Sequence, residues 1–499
     1  MRQGCLSLYP PKMDIRPSTN HSHPNGYCKI HANLAQTMPI KLLLSETKAN
    51  LSCHWFRQQD SSTICTNSAQ ADASTMNETK IGIGDIGIYV PKLQMDVNSL
   101  IEARAHVQPQ LNRVMRRAAK KTGQKSFRFP ASWEDSATLA ANAASEVLER
   151  LSAEQQEKIR YILVGTETAI DFAKPVASYV HGMLKRAGYT LVNTLSTYDT
   201  KHACAGGTSA LLAAASNLNY SGSNQERGLV ISSDIARYDA PSTAEFTQGG
   251  GSAALIVEKN PRLMEINLKT QGFFSSDVDD FFRPLNSVTA RVKGRYSMDC
   301  YQSALKVAFE DYCNRAEQSP SECIDEIDYI AFHVPFPTMP EIALRNLLRD
   351  SCGKNEVEIE HFIQRSGFTD AMYLCKSFGN LYTASLYTYL ATLLHQELHK
   401  IGEEIIGKRI LIASYGSGNT MTVFSGRICE NAPGLISQWS IEKWRGGSRD
   451  ASFDEYLAWL SHSTSIDAPQ ERLETPDSKK GLFYLKSLSE SGYRNYDRG

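Results

Sequence analysis

The sequence predicts a mixed α/β layered fold, and three observations carry that expectation. From residue 80 onward, apolar runs of strand length alternate with segments of helical pattern and length. A unit of helix, strand, Gly-rich turn and strand occurs twice, once in each half of the chain. The composition is that of an ordinary globular protein: 499 residues, 41% hydrophobic, 21% charged, net charge -1. That length suits two or three domain-sized units or one large duplicated fold.

The elements follow in order. The run IGIGDIGIYV at 81–90 is the first strand, rich in Ile and Val and bounded by a proline. Helices are expected over 136–152, 205–218, 339–348 and 382–398. Strands are expected over 161–165, 228–233, 252–258, 327–333, 409–414 and 420–425. In the first copy of the repeat, a helix opening at Cys204 leads to strand 228–233. The turn Thr247-Gln248-Gly249-Gly250-Gly251 and strand 252–258 follow. In the second, Gly379-Asn380 opens a helix that leads to strand 409–414, the turn Tyr415-Gly416-Ser417-Gly418 and strand 420–425. Duplication would place a site between the halves, while chance resemblance between common α/β units is the other reading.

Several classes are set aside by composition. Near-neutral charge argues against nucleic acid as a partner. No apolar run approaches the length that spans a bilayer. The eleven cysteines have no paired rhythm, which points to reduced thiols in a cytoplasmic setting. Residues 1–75 are rich in Ser, Thr, Asn, Gln and His, lack periodicity and carry no apolar signal-peptide core; their paucity of acids leaves a transit peptide as a minor alternative. Cys28 and His31, and Cys53 and His54, fit no standard zinc spacing, so no metal site is expected. Three segments are therefore expected. Residues 1–79 are an N-terminal extension, either disordered or a mis-assigned start with Met76 as the natural one. Residues 80–260 form a first half with a Cys nucleophile. Residues 261–499 form a second half with the His, the Asn and a Gly-rich turn.

Three residues have the right chemistry in the right local setting. Cys204 lies in Lys201-His202-Ala203-Cys204-Ala205-Gly206-Gly207 before an Ala/Leu-rich helix. The helix dipole there is expected to favour thiolate, and the glycines admit close approach by backbone or ligand. The bland alternative is a small core hydrophobe. Glu134, in Ser132-Trp133-Glu134-Asp135, is expected in the first turn of a helix capped by Ser132. It is either a surface acid on the helix dipole or a general acid/base desolvated by Trp133, Phe127 and Phe129. His333 ends an apolar strand before Val334-Pro335-Phe336-Pro337, at the kind of strand-to-loop edge where α/β sites lie; a satisfied rim histidine is the alternative. The Gly-rich turns at 249–251 and 416–418 are either plain turns or sources of backbone N–H groups for an oxyanion, and neither has the Lys-Ser/Thr of a P-loop.

A set of ordered motifs then resembles the 3-hydroxy-3-methylglutaryl-CoA synthase family. They are Gly165-Thr166-Glu167-Thr168-Ala169-Ile170-Asp171, Ala203-Cys204-Ala205-Gly206-Gly207-Thr208, Ser233-Asp234-Ile235-Ala236-Arg237-Tyr238 and Thr247-Gln248-Gly249-Gly250-Gly251. Asp280-Phe281-Phe282-Arg283-Pro284, Phe332-His333-Val334-Pro335-Phe336, Gly379-Asn380-Leu381-Tyr382-Thr383 and Ser414-Tyr415-Gly416-Ser417-Gly418 follow, then Leu482-Phe483-Tyr484-Leu485 near the end. The resemblance implies a thiolase-like duplicated αβαβα fold and an acyl-transferring condensation of acetyl-CoA with acetoacetyl-CoA. It implies Cys204 as acetyl acceptor, Glu134 as general base and His333 as the group polarising the acetoacetyl carbonyl. Asn380 would bind the second substrate, and Tyr238 and Thr247 would line its pocket. Asp234 and Asp280 would support the site, and the Ser417 and Cys204 N–H groups would hold the oxyanion. It implies no cofactor beyond the acyl-CoA substrates, and a homodimer.

The family's bacterial members usually carry lysines after the His-Val-Pro-Phe block, where they help bind the CoA phosphates. This chain has Pro337-Thr338-Met339-Pro340-Glu341-Ile342 instead. Its segment 103–129 is basic, with Arg113, Arg116, Arg117, Lys120, Lys121 and Lys125, read either as a solvated helix face or as a contact for CoA phosphates or an acyl carrier protein. A polyketide branch of the family acts on a β-ketoacyl chain held by such a carrier, and is the alternative to a mevalonate-type synthase.

Overall fold

The computed structural model describes residues 80–221, 223–461 and 481–499, which belong to one compact unit. The expectations for residues 1–79, including Met76 as a start and the Cys28, His31, Cys53 and His54 pairs, lie outside the described residues.

Nine strands build the main sheet: β1 Ile81–Tyr89, β2 Ile159–Gly165, β3 Ser196–Thr200, β4 Arg227–Ala236, β5 Gly249–Lys259, β6 Met264–Ser275, β7 Tyr329–Phe332, β8 Arg409–Gly416 and β9 Thr420–Ile428. The helices that matter for the site are α1 Val97–Val107, α2 Leu111–Thr122, α3 Ser136–Leu148, α4 Val176–Arg186, α5 Gly206–Tyr220, α6 Gly294–Arg315, α7 Met339–Asp350, α8 Ser385–Ile401 and α9 Phe453–Ser461. The strand order is β7-β8-β9-β6-β1-β5-β4-β2-β3.

The duplication is visible in that order. In the first half, β2 runs parallel to β4, β4 antiparallel to β5, and β5 antiparallel to β1. In the second, β7 runs parallel to β8, β8 antiparallel to β9, and β9 antiparallel to β6. Each half feeds its central strand from a helix, α5 before β4 and α8 before β8. The halves meet where β1 pairs with β6 through Gly82 and Ile83.

Alternation within the strands makes the layers. On β5, Ala253, Leu255 and Val257 face the large central core with α5 and α8, while Ala254 and Ile256 face α3 and α4 on the other side. The strand is covered on both faces, which is why its sequence is a continuous apolar run. Helix α8 is buried along Ser385–Leu394, as a helix between two layers must be. A hydrogen bond of 2.8 Å between the Thr208 and Tyr387 hydroxyls joins the two central helices. Helix α6 covers the far face, against β6 and β9.

Boundaries differ from expectation for local reasons. The N-cap of α3 is Asp135, in a capping box with Thr138, and Ser132 is not the cap. Asp135 wins because its carboxylate also accepts from Tyr496 and Arg494 of the C-terminal hairpin. Glu134 thus precedes the helix. Helix α3 ends at Leu148 because Ser152 caps a separate short helix, Ala153–Glu157. Residues Tyr382–Ala384 form a 3-10 turn before α8.

Gly272 on β6 lets α6 approach: a Cβ there would stand 2.0 Å from the Ala308 carbonyl and 2.4 Å from the Tyr312 amide. Gly272→Ala is expected to destabilise the fold by about 1–3 kcal/mol, because helix backbone cannot yield as a side chain does. Chemical denaturation checks this, with a lower midpoint at unchanged slope.

Candidate active site

The site begins where β2 ends. A Cβ on Gly165 would lie 2.2 Å from the Gly207 amide, so the two glycines let the turn after β2 sit directly on the start of α5. That turn carries Glu167. Just before α5, Ala203 holds a left-handed φ of 43° and Cys204 follows it. A non-glycine residue in this conformation is strained and is kept there by its surroundings.

The Cys204 Sγ donates to Glu167 Oε1 at 3.5 Å. Arg283 stands on the other side of Glu167, with Nη2 3.4 Å from Oε2 and a second contact to the Glu167 carbonyl oxygen. Burial, reinforced by the charge of Asp234, pushes the Glu167 carboxyl up to about 7, with Arg283 and the thiol opposing. Burial first, then the carboxylates of Glu167 and Asp234, push the Cys204 thiol well above its ordinary value. This corrects the expectation of a thiolate favoured by the helix dipole. Cys204 lies two residues before the first helical residue, and burial together with two nearby acids outweighs the dipole there. The resting pair is a thiol beside a carboxyl poised to take its proton.

Asp234 and Asp280 hold the chain around the site. Asp234 Oδ1 accepts from the Thr166 hydroxyl, the Glu167 and Thr168 amides and the Thr168 hydroxyl. Its Oδ2 accepts from the Thr383 amide and hydroxyl in the second half. Asp280 accepts from the Gly418 amide at 2.8 Å and from the hydroxyls of Tyr415 and Ser297. It thereby fixes the Tyr415–Gly418 turn, which carries Ser417. That turn packs on the nucleophile segment, since a Cβ on Gly416 would meet the His202 carbonyl at 2.2 Å.

The surroundings of Cys204 are aromatic. Cys204 clusters with Tyr238, Phe281 and Tyr382, whose rings meet edge-on with centroids 5.7 to 6.5 Å apart. Asn380 lies 3.5 Å from the Tyr238 hydroxyl through Nδ2, and its Oδ1 accepts from the Tyr382 amide and the Ser385 hydroxyl. Thr247 donates its hydroxyl to Ala244, and its carbonyl accepts the Asn380 amide. Behind Tyr238, Gln248 accepts its amide and donates to the Tyr456 hydroxyl of α9, which donates to Glu245. This buried relay has no signature in the sequence, where Gln248 and Tyr456 are 208 residues apart.

His333 follows β7 beside β8, with its amide on the Ala413 carbonyl and its own carbonyl accepting from Tyr301. The ring is buried, and Nδ1 has no hydrogen-bond partner among the described residues. Burial pushes its pKa down to about 3, so the imidazole is neutral and serves as a hydrogen-bonding group.

Glu134 is placed elsewhere. Its Oε1 accepts from the Tyr89 hydroxyl at 2.7 Å and its Oε2 from the Ala131 amide at 2.9 Å. The carboxylate beside the Cys204 sulfur is Glu167, which replaces Glu134 as the candidate base. The sequence does carry a signal for it: an acid just past the carboxyl end of a parallel strand, where α/β folds place their sites.

The family model described as hydroxymethylglutaryl-coenzyme A synthase N terminal matches residues 77–261. Its C-terminal counterpart matches 264–361 and 351–498. The chain belongs to the hydroxymethylglutaryl-CoA synthase family. It is 28% identical to the hydroxymethylglutaryl-CoA synthase of Haloferax volcanii over 84% of this chain and 99% of that one. It is also 28% identical to the polyketide biosynthesis 3-hydroxy-3-methylglutaryl-ACP synthase PksG of Bacillus subtilis, over 67% of this chain and 78% of that one. Among solved structures, MvaS in complex with 3-hydroxy-3-methylglutaryl coenzyme A is similar at 31% identity and a TM-score of 0.72, covering 84% of this chain and 99% of that one. The curacin pathway HMG synthase with holo donor-ACP is similar at 26% and 0.73, covering 84% and 100%. These neighbours share the thiolase-like duplicated fold described above.

The two acids are separable by mutation. Glu167→Gln is expected to lower the family's condensation rate by on the order of 10²–10⁴ with little change in melting temperature. Glu134→Gln is expected to cost about 1 kcal/mol of stability and far less rate, because it disturbs a packed hydrogen-bond pair. Paired kinetic and denaturation measurements distinguish them, and a larger rate loss at Glu134 would reverse the assignment.

Proposed function

We propose that the protein is a hydroxymethylglutaryl-CoA synthase that condenses acetyl-CoA with acetoacetyl-CoA through an acetyl-Cys204 thioester. The contact between Cys204 and Glu167 inside an aromatic pocket carries this reading. Glu167 takes the thiol proton as Sγ attacks the acetyl carbonyl, then passes it to the departing sulfur so that CoA leaves as its thiol and the carboxylate is regenerated. The same carboxyl then removes a proton from the acetyl methyl group. The resulting carbon attacks C3 of acetoacetyl-CoA, and the new alkoxide takes the proton back from the Glu167 carboxyl. Water hydrolyses the enzyme thioester and frees 3-hydroxy-3-methylglutaryl-CoA. A carboxyl titrating near neutrality suits both directions of transfer.

Neutral His333 and Asn380 are assigned to the acetoacetyl carbonyl, and Tyr238 and Thr247 to the pocket around it. The Cys204 and Ser417 amides are assigned to the oxyanion, on the strength of the turn held by Asp280. The chemistry is carried by side chains and the two thioesters.

A carrier-bound acceptor is the second reading. It is favoured by the absence of lysine from 337–342 and by the likeness to the curacin synthase with its donor-ACP. Under the first reading the enzyme serves a mevalonate and isoprenoid route in the cytoplasm. All seven cysteines among the described residues are free thiols, in keeping with such a compartment, and no described helix is long and apolar enough to cross a membrane. A homodimer is proposed through β3, the half-exposed strand at an open sheet edge. Light scattering is expected to give about twice the chain mass.

Incubation with acetyl-CoA is expected to add one acetyl group at Cys204, detected by peptide mass spectrometry and absent in Cys204→Ala. Acetoacetyl-CoA should then discharge it to product. Discharge by acetoacetyl-carrier protein alone would select the second reading. Because Glu167 must be ionised to act as a base and titrates near 7, the rate should rise with pH and level off above 8. At pH 6 it should be roughly a tenth of the plateau.

A further inference from the structure

Helix α2 carries Arg113, Arg116, Arg117, Lys120 and Lys121, all exposed, with exposed Lys125 just beyond it and no acidic residue in its length. Among the described residues, Arg116 meets a carboxylate, Glu102 at 3.7 Å, and the other five make no ion pair. Cations in the last turn complement the helix dipole, but Arg113 lies in the first turn, where the dipole disfavours it. So dense a like-charge cluster calls for an anion to offset its self-repulsion.

Its position says which anion. The Thr338 hydroxyl donates to the Lys121 carbonyl at 2.6 Å and the Thr338 amide to the Thr122 carbonyl at 3.3 Å. Gly123 ends the helix with a φ of 71°, and a Cβ there would meet Thr338 at 3.2 Å. The end of α2 is therefore fastened to the segment that starts at His333. Thr338 comes five positions after His333, a span of at most about 18 Å. From the other side, the Lys125 amide donates to the Lys376 carbonyl and the Ser126 hydroxyl to the Ser377 carbonyl, on the segment that runs into Asn380. A cleft of about 520 Å³ opens beside the helix, walled by Arg116, Lys120 and Lys125, with Gln124 and Asn98 as neutral polar groups and Asp96 as an acid.

We propose that Lys120, Lys121 and Lys125 bind the phosphates of the CoA substrates, supplying from α2 the positive charge that the loop after His333 lacks. The inference rests on the proposed function for the identity of the substrate. A pantetheine arm extended from the pocket brings the pyrophosphate and 3′-phosphate of CoA to this edge, and a phosphate monoester alone carries nearly two negative charges near neutrality.

The test is calorimetric binding of CoA to the full chain. The substitutions are Lys120→Ala, Lys121→Ala and Lys125→Ala together, and Lys306→Ala on α6 as control. The triple variant is expected to bind CoA about tenfold more weakly and to lose most of the salt dependence of the wild type. Replacing the three lysines with arginine is expected to restore binding. A change in Kd below twofold would overturn the proposal, as would an equal loss in the control. Loss of binding to an acyl carrier protein with CoA affinity intact would overturn it in favour of a protein partner. Acetylation of Cys204 is scored in the same samples. If labelling occurs while the triple variant binds CoA normally, this inference fails and the proposed function stands. If CoA binding falls as expected and Cys204 is never acetylated, the proposed function fails instead.

Discussion

The arrangement of the site depends on one buried carboxylate. Asp234 accepts six hydrogen bonds, four from the Thr166–Thr168 turn of the first half and two from Thr383 of the second. Buried charge is costly unless its lone pairs are filled, and here they are filled by the two segments whose relative position defines the pocket. Without those bonds, the turn bearing Glu167 would have no reason to lie against Cys204. Nor would Tyr382 be held at its left-handed φ of 46°. Strain at Ala203 and Tyr382, one from each half, is what a site assembled across two rigid layers has to absorb.

Burial sets the electrostatics, and the same carboxylate reinforces it. Two acids close to a thiol, all out of water, favour the neutral forms of Glu167 and Cys204, and Arg283 keeps the cluster from becoming wholly acidic. A cysteine so placed is inert until a substrate arrives and its proton has a destination. That differs from a permanently activated thiolate. It gives the carboxyl rather than the helix dipole the task of activation.

Much of this is legible in the amino-acid sequence. The alternation of elements and the repeated unit follow from pattern and turn chemistry, and Cys204 stands out by its place before a helix. The choice of base does not. Glu134 sits in an aromatic-rich segment that reads like a desolvated acid, and it is buried, yet its oxygens are taken by Tyr89 and Ala131. Glu167 looks like one polar residue in a Gly-Thr-Glu-Thr turn. Local sequence reports that an acid is present and near apolar groups, but it does not report which carboxylate comes to lie beside the thiol. The cap of α3 fails for the same reason. Ser132 and Asp135 are both good N-caps locally, and the choice between them is made by Tyr496 and Arg494, more than 350 residues away.

By itself, the sequence determined the layered α/β class, its repeated unit and the thiol that heads the site. These are written in short-range periodicity and in residue chemistry. Only the tertiary structure decided which acid meets the thiol, which protonation state that thiol takes and where the basic helix sits. Those outcomes depend on distance and burial, and both are set by how the two halves close on each other through Asp234, Gly165 and Gly207.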